Sequence, residues 1–320
     1  MTEGRSPSTA AVVVALLVVY LVWGSTYLGI AVVIQTMPPL LTAGVRYGIA
    51  GLIMLIGVVA LARLRPGAIQ LERPTLAQWR SAVVIGLLLL LGGNGGVVLG
   101  ELFIPSGIAA VLLAMEPMWL AGVDALITHR RPSALAIGGI LAGIIGVAVL
   151  VVPVEGLGGF DPIGVGLVLL AGVSWAAGSI YVRHASLPRS GALGTGMEML
   201  AGGGALLIGG ILLGEVGRTD VSSFSTESVV ALAYLIVFGS IVAFTAYTWL
   251  LANVPISVVA TYAYVNPVVA VALGALILSE PITPRTLIAG LIIIGAVVAM
   301  VSGRTREANN AGAATPIEAD

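Results

Sequence analysis

The sequence predicts an all-α polytopic membrane protein whose ten transmembrane helices form two inverted five-helix repeats. Three observations support this fold class. Of the 320 residues, 58% are hydrophobic and only 9% are charged, whereas soluble domains carry about 25% charge. The apolar residues fall into ten stretches of membrane-crossing length. A proline-containing stretch near the middle of the chain returns 150 residues later.

The ten apolar stretches divide the chain into two halves. Each has about 18–25 mostly apolar residues, enough to cross a bilayer as a helix. We number them as segments 1 to 10: 10–33, 39–62, 80–100, 105–127, 134–152, 162–183, 191–213, 228–250, 256–278 and 285–302. Segments 1 to 5 form a first repeat over 10–152, and segments 6 to 10 form a second over 162–302. Residues 1–9 precede the first repeat, and 303–320 lack periodicity, which predicts a disordered tail.

Segments 4 and 9 carry the clearest internal repeat. At a constant offset of 150 residues, Glu116 and Pro117 of segment 4 correspond to Asn266 and Pro267 of segment 9. Each segment therefore has a proline near its middle, with a polar residue directly before it. Because proline removes one helix hydrogen bond, both prolines are candidate hinges, and a static kink is the alternative.

The odd number of segments in each repeat determines how the two halves are related. Because five crossings leave the chain on the opposite side, the second repeat must cross the membrane in the opposite sense to the first. An offset of 152 residues pairs Trp23 with Trp175 and Arg46 with Glu198. Inverted repeats of this kind recur in secondary transporters, which bind substrate at the repeat interface near the midplane of the bilayer.

The arginines predict the orientation of the bundle, because positively charged loops stay in the cytoplasm. With both termini inside, eleven arginines are cytoplasmic and two are outside. The cytoplasmic ones are Arg5, Arg63, Arg65, Arg73, Arg80, Arg130, Arg131, Arg183, Arg189, Arg304 and Arg306, and the outer ones are Arg218 and Arg285. We therefore predict a cytoplasmic N-terminus over 1–9 and a cytoplasmic tail.

The composition excludes several kinds of site. The chain has no cysteine, which rules out disulfides and cysteine-based metal or catalytic sites. It has no lysine either, so no P-loop for ATP can be completed. There is no basic face for nucleic acid, and His129 and His184 lack the paired carboxylates of a metal site. We therefore predict no cofactor, no metal, no nucleic-acid partner and no enzymatic activity.

Several stretches resemble the EamA-type branch of the drug/metabolite transporter superfamily. They are VWGSTY in segment 1, PPLLTAGVRY at the start of segment 2, and VPISVVATYAYVNPVVAVALGALILSEPIT around segment 9. GNGGVVLGELFIPSGIAAVLLAMEP, GVSWAAGSIYV and MEMLAGG are more similar still to the YedA-like inner-membrane subgroup. The resemblance implies a multi-pass transporter of a bacterial inner membrane that exports amino acids, related metabolites or xenobiotics. Members of this type usually carry a small or apolar residue where this chain has Glu116.

Three charged residues are predicted to lie inside the bilayer, at a cost of about 2.5–3.5 kcal/mol each. Arg46 is the candidate anchor for a substrate carboxylate, because a guanidinium binds a carboxylate through two parallel hydrogen bonds. An internal salt bridge to Glu116 or Glu198, or snorkelling to the surface, is the alternative. Glu116 and Glu198 are candidate proton-coupling groups, because burial disfavours a charged carboxylate, and a purely structural acid is the alternative for each.

Aromatic and amide side chains complete the predicted binding site. Helical spacing places several of them on common faces, where they would line a cavity for small zwitterions or aromatic, amphipathic molecules. Packing between helices is the alternative for each of them. The predicted substrate-binding residues, besides Arg46, are Trp23, Tyr27, Asn94, Trp175, Tyr262 and Asn266.

These features predict a secondary transporter that works by alternating access, with a small-molecule substrate, surrounding lipid and a proton as the candidate coupling ion. A channel or facilitator is the alternative, and an intramembrane enzyme is a further one. Gly139, Gly143 and Gly146 of segment 5 are spaced for close helix contact, either inside the protomer or in a homodimer.

Overall fold

The computed structural model describes residues 8–65, 72–129, 134–152, 159–254, 256–259 and 261–313, and within these residues all regular secondary structure is helical. Among these described residues, seven helices are long and apolar enough to cross a membrane, and three more contain shorter apolar stretches. The predicted fold class is thereby confirmed. The helices are α1 Thr9–Val33, α2 Pro39–Leu64, α3 Leu76–Gly100, α4 Ser106–Ile127, α5 Ala134–Val151, α6 Pro162–Val182, α7 Gly191–Leu212, α8 Thr226–Leu250, α9 Tyr262–Leu278 and α10 Pro284–Ala313.

Polar residues at the helix starts explain where several helices begin. Thr75 and Gln78 form a capping box before α3: the Thr75 side chain accepts from the Gln78 N–H at 3.2 Å, and the Gln78 side chain accepts from the Thr75 N–H at 2.8 Å. Asp161 caps α6 by accepting from the Ile163 N–H at 2.7 Å. Pro162 follows at the first helical position, where its missing N–H costs nothing.

Carboxylates from the second repeat cap the first turns of α2 and α4. Glu215 accepts hydrogen bonds from the N–H groups of Leu40 at 3.1 Å and Leu41 at 2.8 Å. Glu280 accepts from both the N–H and the hydroxyl of Ser106, each at 2.8 Å. A carboxylate is favourable here because the first N–H groups of a helix lack partners and carry the positive end of its dipole. These two contacts connect the repeats at one end of the bundle.

The helices pair across the repeats as a two-fold relation requires. α2 packs along α7, α4 along α9, and α5 along α10, so each meets its own counterpart. α1 packs on α8. Their counterparts in the other repeat are α6 and α3, and these two helices also pack on each other. Exchanging each helix for its counterpart leaves this set of contacts unchanged, as expected for two repeats of one five-helix unit.

Glycines allow α2 and α7 to approach closely. A Cβ added to Gly51 would lie 2.8 Å from the carbonyl oxygen of Gly196, and one added to Gly203 would lie 2.7 Å from the backbone nitrogen of Gly48. Small residues permit this backbone contact, which supplies the packing that holds membrane helices together.

The glycines of α5 also pack inside the protomer. A Cβ added to Gly143 would lie 2.6 Å from the Met115 side chain of α4, and one added to Gly146 would lie 2.5 Å from Ile293 of α10. The close contact predicted for these glycines therefore occurs within the chain.

α4 and the polypeptide around α9 are both interrupted, but at different places. Within α4, the stretch Ser106–Leu113 ends before a second stretch that begins at Glu116, so the break falls just before Pro117. A short helix, Ile256–Val259, precedes α9, which itself continues through Pro267. The two prolines that correspond in sequence therefore occupy different local structures.

Parts of the chain ends and connections lie outside the described residues. These include residues 1–7, 130–133, 255 and 314–320, and with them several of the arginines used for orientation. α10 extends to Ala313. The final helix therefore continues into the segment 303–320, which the sequence predicts to be disordered.

Candidate functional site

A cavity lies between α1, α2, α3, α4, α6, α8 and α9. It contains about 880 Å³ of empty space, part of it open to solvent. All seven residues predicted to bind substrate line it, together with one predicted coupling acid and one predicted hinge proline. These nine residues are Trp23, Tyr27, Arg46, Asn94, Glu116, Trp175, Tyr262, Asn266 and Pro267.

Three stretches of π-helix bring side chains to the cavity. They are Val19–Trp23 in α1, Gly86–Asn94 in α3 and Leu235–Val242 in α8. A π-helix has more residues per turn than an α-helix, so it shifts the register of the side chains that follow, and such stretches occur frequently at functional sites. Trp23 and Asn94, the last residues of the first two stretches, both line the cavity.

Arg46 is buried, with 4% of its surface exposed. Its Nε donates to the Ser240 hydroxyl at 2.9 Å, and that hydroxyl in turn donates to the Leu235 carbonyl oxygen at 3.0 Å. The guanidinium carbon lies 4.6 Å from the centre of the Tyr47 ring, a cation–π distance. Within the described residues, no carboxylate forms an ion pair with Arg46. Its two Nη groups are therefore not committed to an internal salt bridge.

Glu116 lines the same cavity at the first residue after the break in α4. The Tyr262 hydroxyl donates to its carboxylate at 3.3 Å, and Trp175 lies close enough to interact with it as well. The side chain is half-buried. The cavity thus contains a guanidinium and a carboxyl group that do not pair with each other.

Four aromatic rings pack together beside the cavity, and three of them, those of Trp23, Phe244 and Tyr262, line it. The Trp23 ring centre lies 5.5 Å from that of Phe244, 4.9 Å from Tyr247 and 5.4 Å from Tyr262. Tyr247 and Tyr262 are 5.9 Å apart and meet edge to face. The Trp23 indole N–H donates to the Gly239 carbonyl oxygen at 3.3 Å. These contacts orient the rings and leave an apolar, aromatic surface on the cavity.

The two predicted amides behave differently. The Asn94 side-chain oxygen is buried and has no hydrogen-bond partner among the described residues. The Asn266 amide, in the orientation that satisfies its neighbours, donates to the backbone carbonyls of Tyr20 at 3.2 Å and Tyr262 at 3.3 Å. Asn266 therefore connects α9 to α1, whereas the side-chain oxygen of Asn94 can still accept a hydrogen bond.

Two predicted residues are not among the cavity residues. Glu198 lies on α7, which does not contribute to the described lining, and Pro117 lies one residue beyond Glu116. Sequence reasoning missed Ser240 and Phe244, because neither stands out from its apolar neighbours. Within the described residues, no group of three or more His, Cys, Asp or Glu side chains is arranged to hold a metal ion.

Apolar helices in two repeats around a cavity that contains an arginine and a glutamate have the architecture of a membrane transport protein. The EamA-like transporter family matches the sequence twice, over residues 10–152 and 162–302. Since these matches cover most of the chain, the protein belongs to this family.

Named relatives agree with this assignment. The chain is 39% identical over 293 residues to the uncharacterized inner membrane transporter YedA of Escherichia coli (strain K12), covering 91% of this chain and 90% of that protein. It is 27% identical over 296 residues to the uncharacterized transporter YvbV of Bacillus subtilis (strain 168), with 91% and 92% covered. It is 26% identical over 301 residues to a "probable amino-acid metabolite efflux pump" of Salmonella typhimurium (strain LT2), with 90% and 93% covered.

A solved crystal structure, described only as that of a protein, has the same fold. Its TM-score is 0.61 at 18% sequence identity, covering 93% of this chain and 99% of that chain. At this identity the match concerns the fold alone.

Proposed function

We propose that this protein is a secondary transporter that exports small zwitterionic metabolites, amino acids or close relatives, by alternating access. The observation that carries the proposal is the presence of Arg46 and Glu116 in one aromatic cavity without an ion pair between them. Opposite charges held apart in a site of low dielectric complement a zwitterion, whose own two charges can satisfy both.

The proposed binding mode follows from the groups on the cavity surface. The two Nη groups of Arg46 bind the substrate carboxylate, because Nε is already used by Ser240. The substrate ammonium faces Glu116, and its side chain packs on Trp23 and Tyr262, which also offer cation–π contact. The name of the Salmonella relative, an amino-acid metabolite efflux pump, supports this substrate class.

Glu116 is the proposed coupling residue. A proton and a substrate ammonium both neutralise this carboxylate, so they bind in competition. Substrate leaving on one side is then replaced by a proton, which is the exchange that proton-driven export requires. Glu198 lies on α7, away from the described cavity lining, and we assign it a structural role as a neutral acid.

Alternating access requires the two repeats to tilt relative to each other. We propose that α4 bends at its break before Pro117 and that α9 bends near Pro267, because a proline has no N–H to donate to the carbonyl four residues before it. Structures of the inward- and outward-open states would test this, and an unchanged bend at both prolines would remove the hinge assignment.

The proposed setting is a bacterial inner membrane with both termini in the cytoplasm. The arginine distribution supports this orientation, and the inner-membrane relative supports the location. Reporter fusions at each terminus test the orientation, which fails if either reporter is active outside. A homodimer remains a separate proposal, to be tested by light scattering of the purified protein.

Transport by purified protein in liposomes tests the proposed function. Uptake of labelled L-phenylalanine, L-threonine, uracil and tetraphenylphosphonium is compared with and without a pH gradient. We expect the zwitterions to move and the pH gradient to drive them. Movement of the organic cation alone would contradict the zwitterion assignment, and steady ion conductance with no movement of any probe would favour a channel.

A further inference from the structure

Glu101 is a buried carboxyl group outside the described lining of the central cavity. It follows α3 directly, in the connection to α4, and only 8% of its surface is exposed. Both carboxyl oxygens are buried without a hydrogen-bond partner among the described residues. An ionised carboxylate without donors is strongly unfavourable in such a place, so this conformation favours the protonated form of Glu101.

Glu280 is the charged neighbour of Glu101, and unlike Glu101 it has several hydrogen-bond donors around its carboxylate. Its oxygens accept from the Ser106 N–H and hydroxyl at 2.8 Å and from the Gly107 N–H at 3.1 Å. These N–H groups belong to the first turn of α4, whose dipole also favours a negative charge. The Glu280 carboxylate is therefore surrounded by donors, whereas Glu101 has none among the described residues. Burial raises the pKa of the Glu101 carboxyl well above its ordinary value, and the charge on Glu280 raises it further.

Tyr27 links this pair to the central cavity. Its hydroxyl is acted on electrostatically by both Glu101 and Glu116. Its ring packs against the apolar cluster that contains Ile104, three residues after Glu101. Among the described residues, Glu280 from the connection after α9 is the titratable group that acts on Glu101, and Glu101 in turn acts on Tyr27 of α1.

We propose that Glu101 is a second proton-binding site, which must hold a proton for the outer ends of the helices to close over it. The inference rests on the alternating access proposed above. When the outer face opens, water reaches Glu101, which can release its proton to the outside. Closing takes one proton up from the same side. The site therefore sets how outside pH biases the two conformations and does not itself carry protons across.

Single-cysteine labelling tests this without a substrate. The chain has no cysteine, so Ile104→Cys, at a position only 3% exposed, introduces the only thiol. A membrane-impermeant maleimide is applied from outside over a range of pH. Rates are divided by those of Val221→Cys, at a position 71% exposed, because thiol reactivity itself rises with pH. We expect the corrected rate to rise as the outside becomes alkaline.

Three variants in the Ile104→Cys background distinguish the outcomes. Glu101→Gln, which mimics the protonated acid, should lose the pH dependence and stay protected. Glu280→Gln should move the pH midpoint down, because the neighbouring charge that raises the pKa of Glu101 is gone. Glu215→Gln removes another buried carboxylate cap, that of α2, and should leave the midpoint unchanged.

The proposal is overturned if Glu101→Gln keeps the parent's pH dependence, or if the parent shows none. Should Glu101→Gln fail to fold, an unchanged midpoint in Glu280→Gln overturns it as well. These results are independent of transport. Labelling that follows the expected pattern in a protein that moves none of the transport probes would leave this site standing and defeat the proposed function.

Discussion

Replacing Arg46 with lysine tests whether the guanidinium binds the carboxylate of the substrate. Arg46 uses Nε to donate to Ser240 at 2.9 Å, which leaves two Nη groups for a ligand. Lysine keeps the charge, but its three N–H donors share one nitrogen and it has no planar fork. It therefore cannot give a carboxylate two parallel hydrogen bonds from two nitrogens while a third nitrogen donates to Ser240.

The expected loss follows from the contacts removed. A hydrogen bond between charged groups contributes about 1.5–3 kcal/mol, and each 1.4 kcal/mol corresponds to about a tenfold change in affinity. We therefore expect Arg46→Lys to weaken zwitterion binding by about 10–100-fold. Ser240→Ala, which leaves the guanidinium intact, should cost much less.

The assay is exchange of labelled L-phenylalanine across liposome membranes, with inhibition by unlabelled analogues. Phenylalanine amide, which has no carboxylate, should compete equally well against the parent and Arg46→Lys. The coupling energy between Arg46 and the substrate carboxylate is then the loss of affinity for L-phenylalanine minus the loss of affinity for phenylalanine amide. Full affinity of Arg46→Lys for L-phenylalanine, or an equal loss for the amide, would refute the reasoning.

Four further predictions follow from the same structure. Glu116→Gln should retain exchange of substrate for substrate but lose acceleration by a pH gradient, and an unchanged pH profile would exclude coupling through this residue. Glu198→Gln should leave transport and its pH dependence intact, and a loss of proton coupling in this variant would show that Glu198 takes part in coupling. Gly51→Ala should lower the free energy of unfolding by about 1–3 kcal/mol through overpacking, whereas Gly48→Ala, with nothing within 4 Å of the added carbon, should change the melting temperature little. The pKa of Glu101 is raised, so its protonated carboxyl contributes fully to the stability of the folded protein at pH values below the ordinary pKa of glutamate. That contribution is lost as the pH rises through the raised pKa. The melting temperature of Glu101→Gln relative to the parent should therefore increase with pH, and a constant difference would contradict that shift.

The membrane fold could be predicted because its signals are local or periodic. A bilayer has no water to satisfy backbone groups, so apolar stretches of sufficient length form helices. The offsets of 150 and 152 residues revealed the repeat from the chain alone. α4 is interrupted just before Pro117, whereas α9 continues through Pro267, so proline alone does not decide where a helix is interrupted.

Nine of the residues that line the cavity could be named from the sequence, but their hydrogen bonds and ring contacts could not. Arg46 and Glu116 attract attention in sequence because charges are costly in a membrane. Their neighbours do not, because Ser240 and Phe244 look like ordinary helix residues until α8 packs against α1 and α2. The π-helical stretches that shift these side chains depend on packing between helices, which sequence periodicity does not reveal.

The sequence by itself determined that this protein is a repeated helical membrane protein with three ionisable residues inside its apolar segments, because composition and period are properties of the chain. Only the tertiary structure decided that Arg46 and Glu116 share a cavity without pairing, that α7 keeps Glu198 out of its described lining, and that Glu101 is buried beside Glu280. The physical reason is that the energy of a buried charge depends on the donors and charges within a few ångströms, and helix packing alone selects those neighbours.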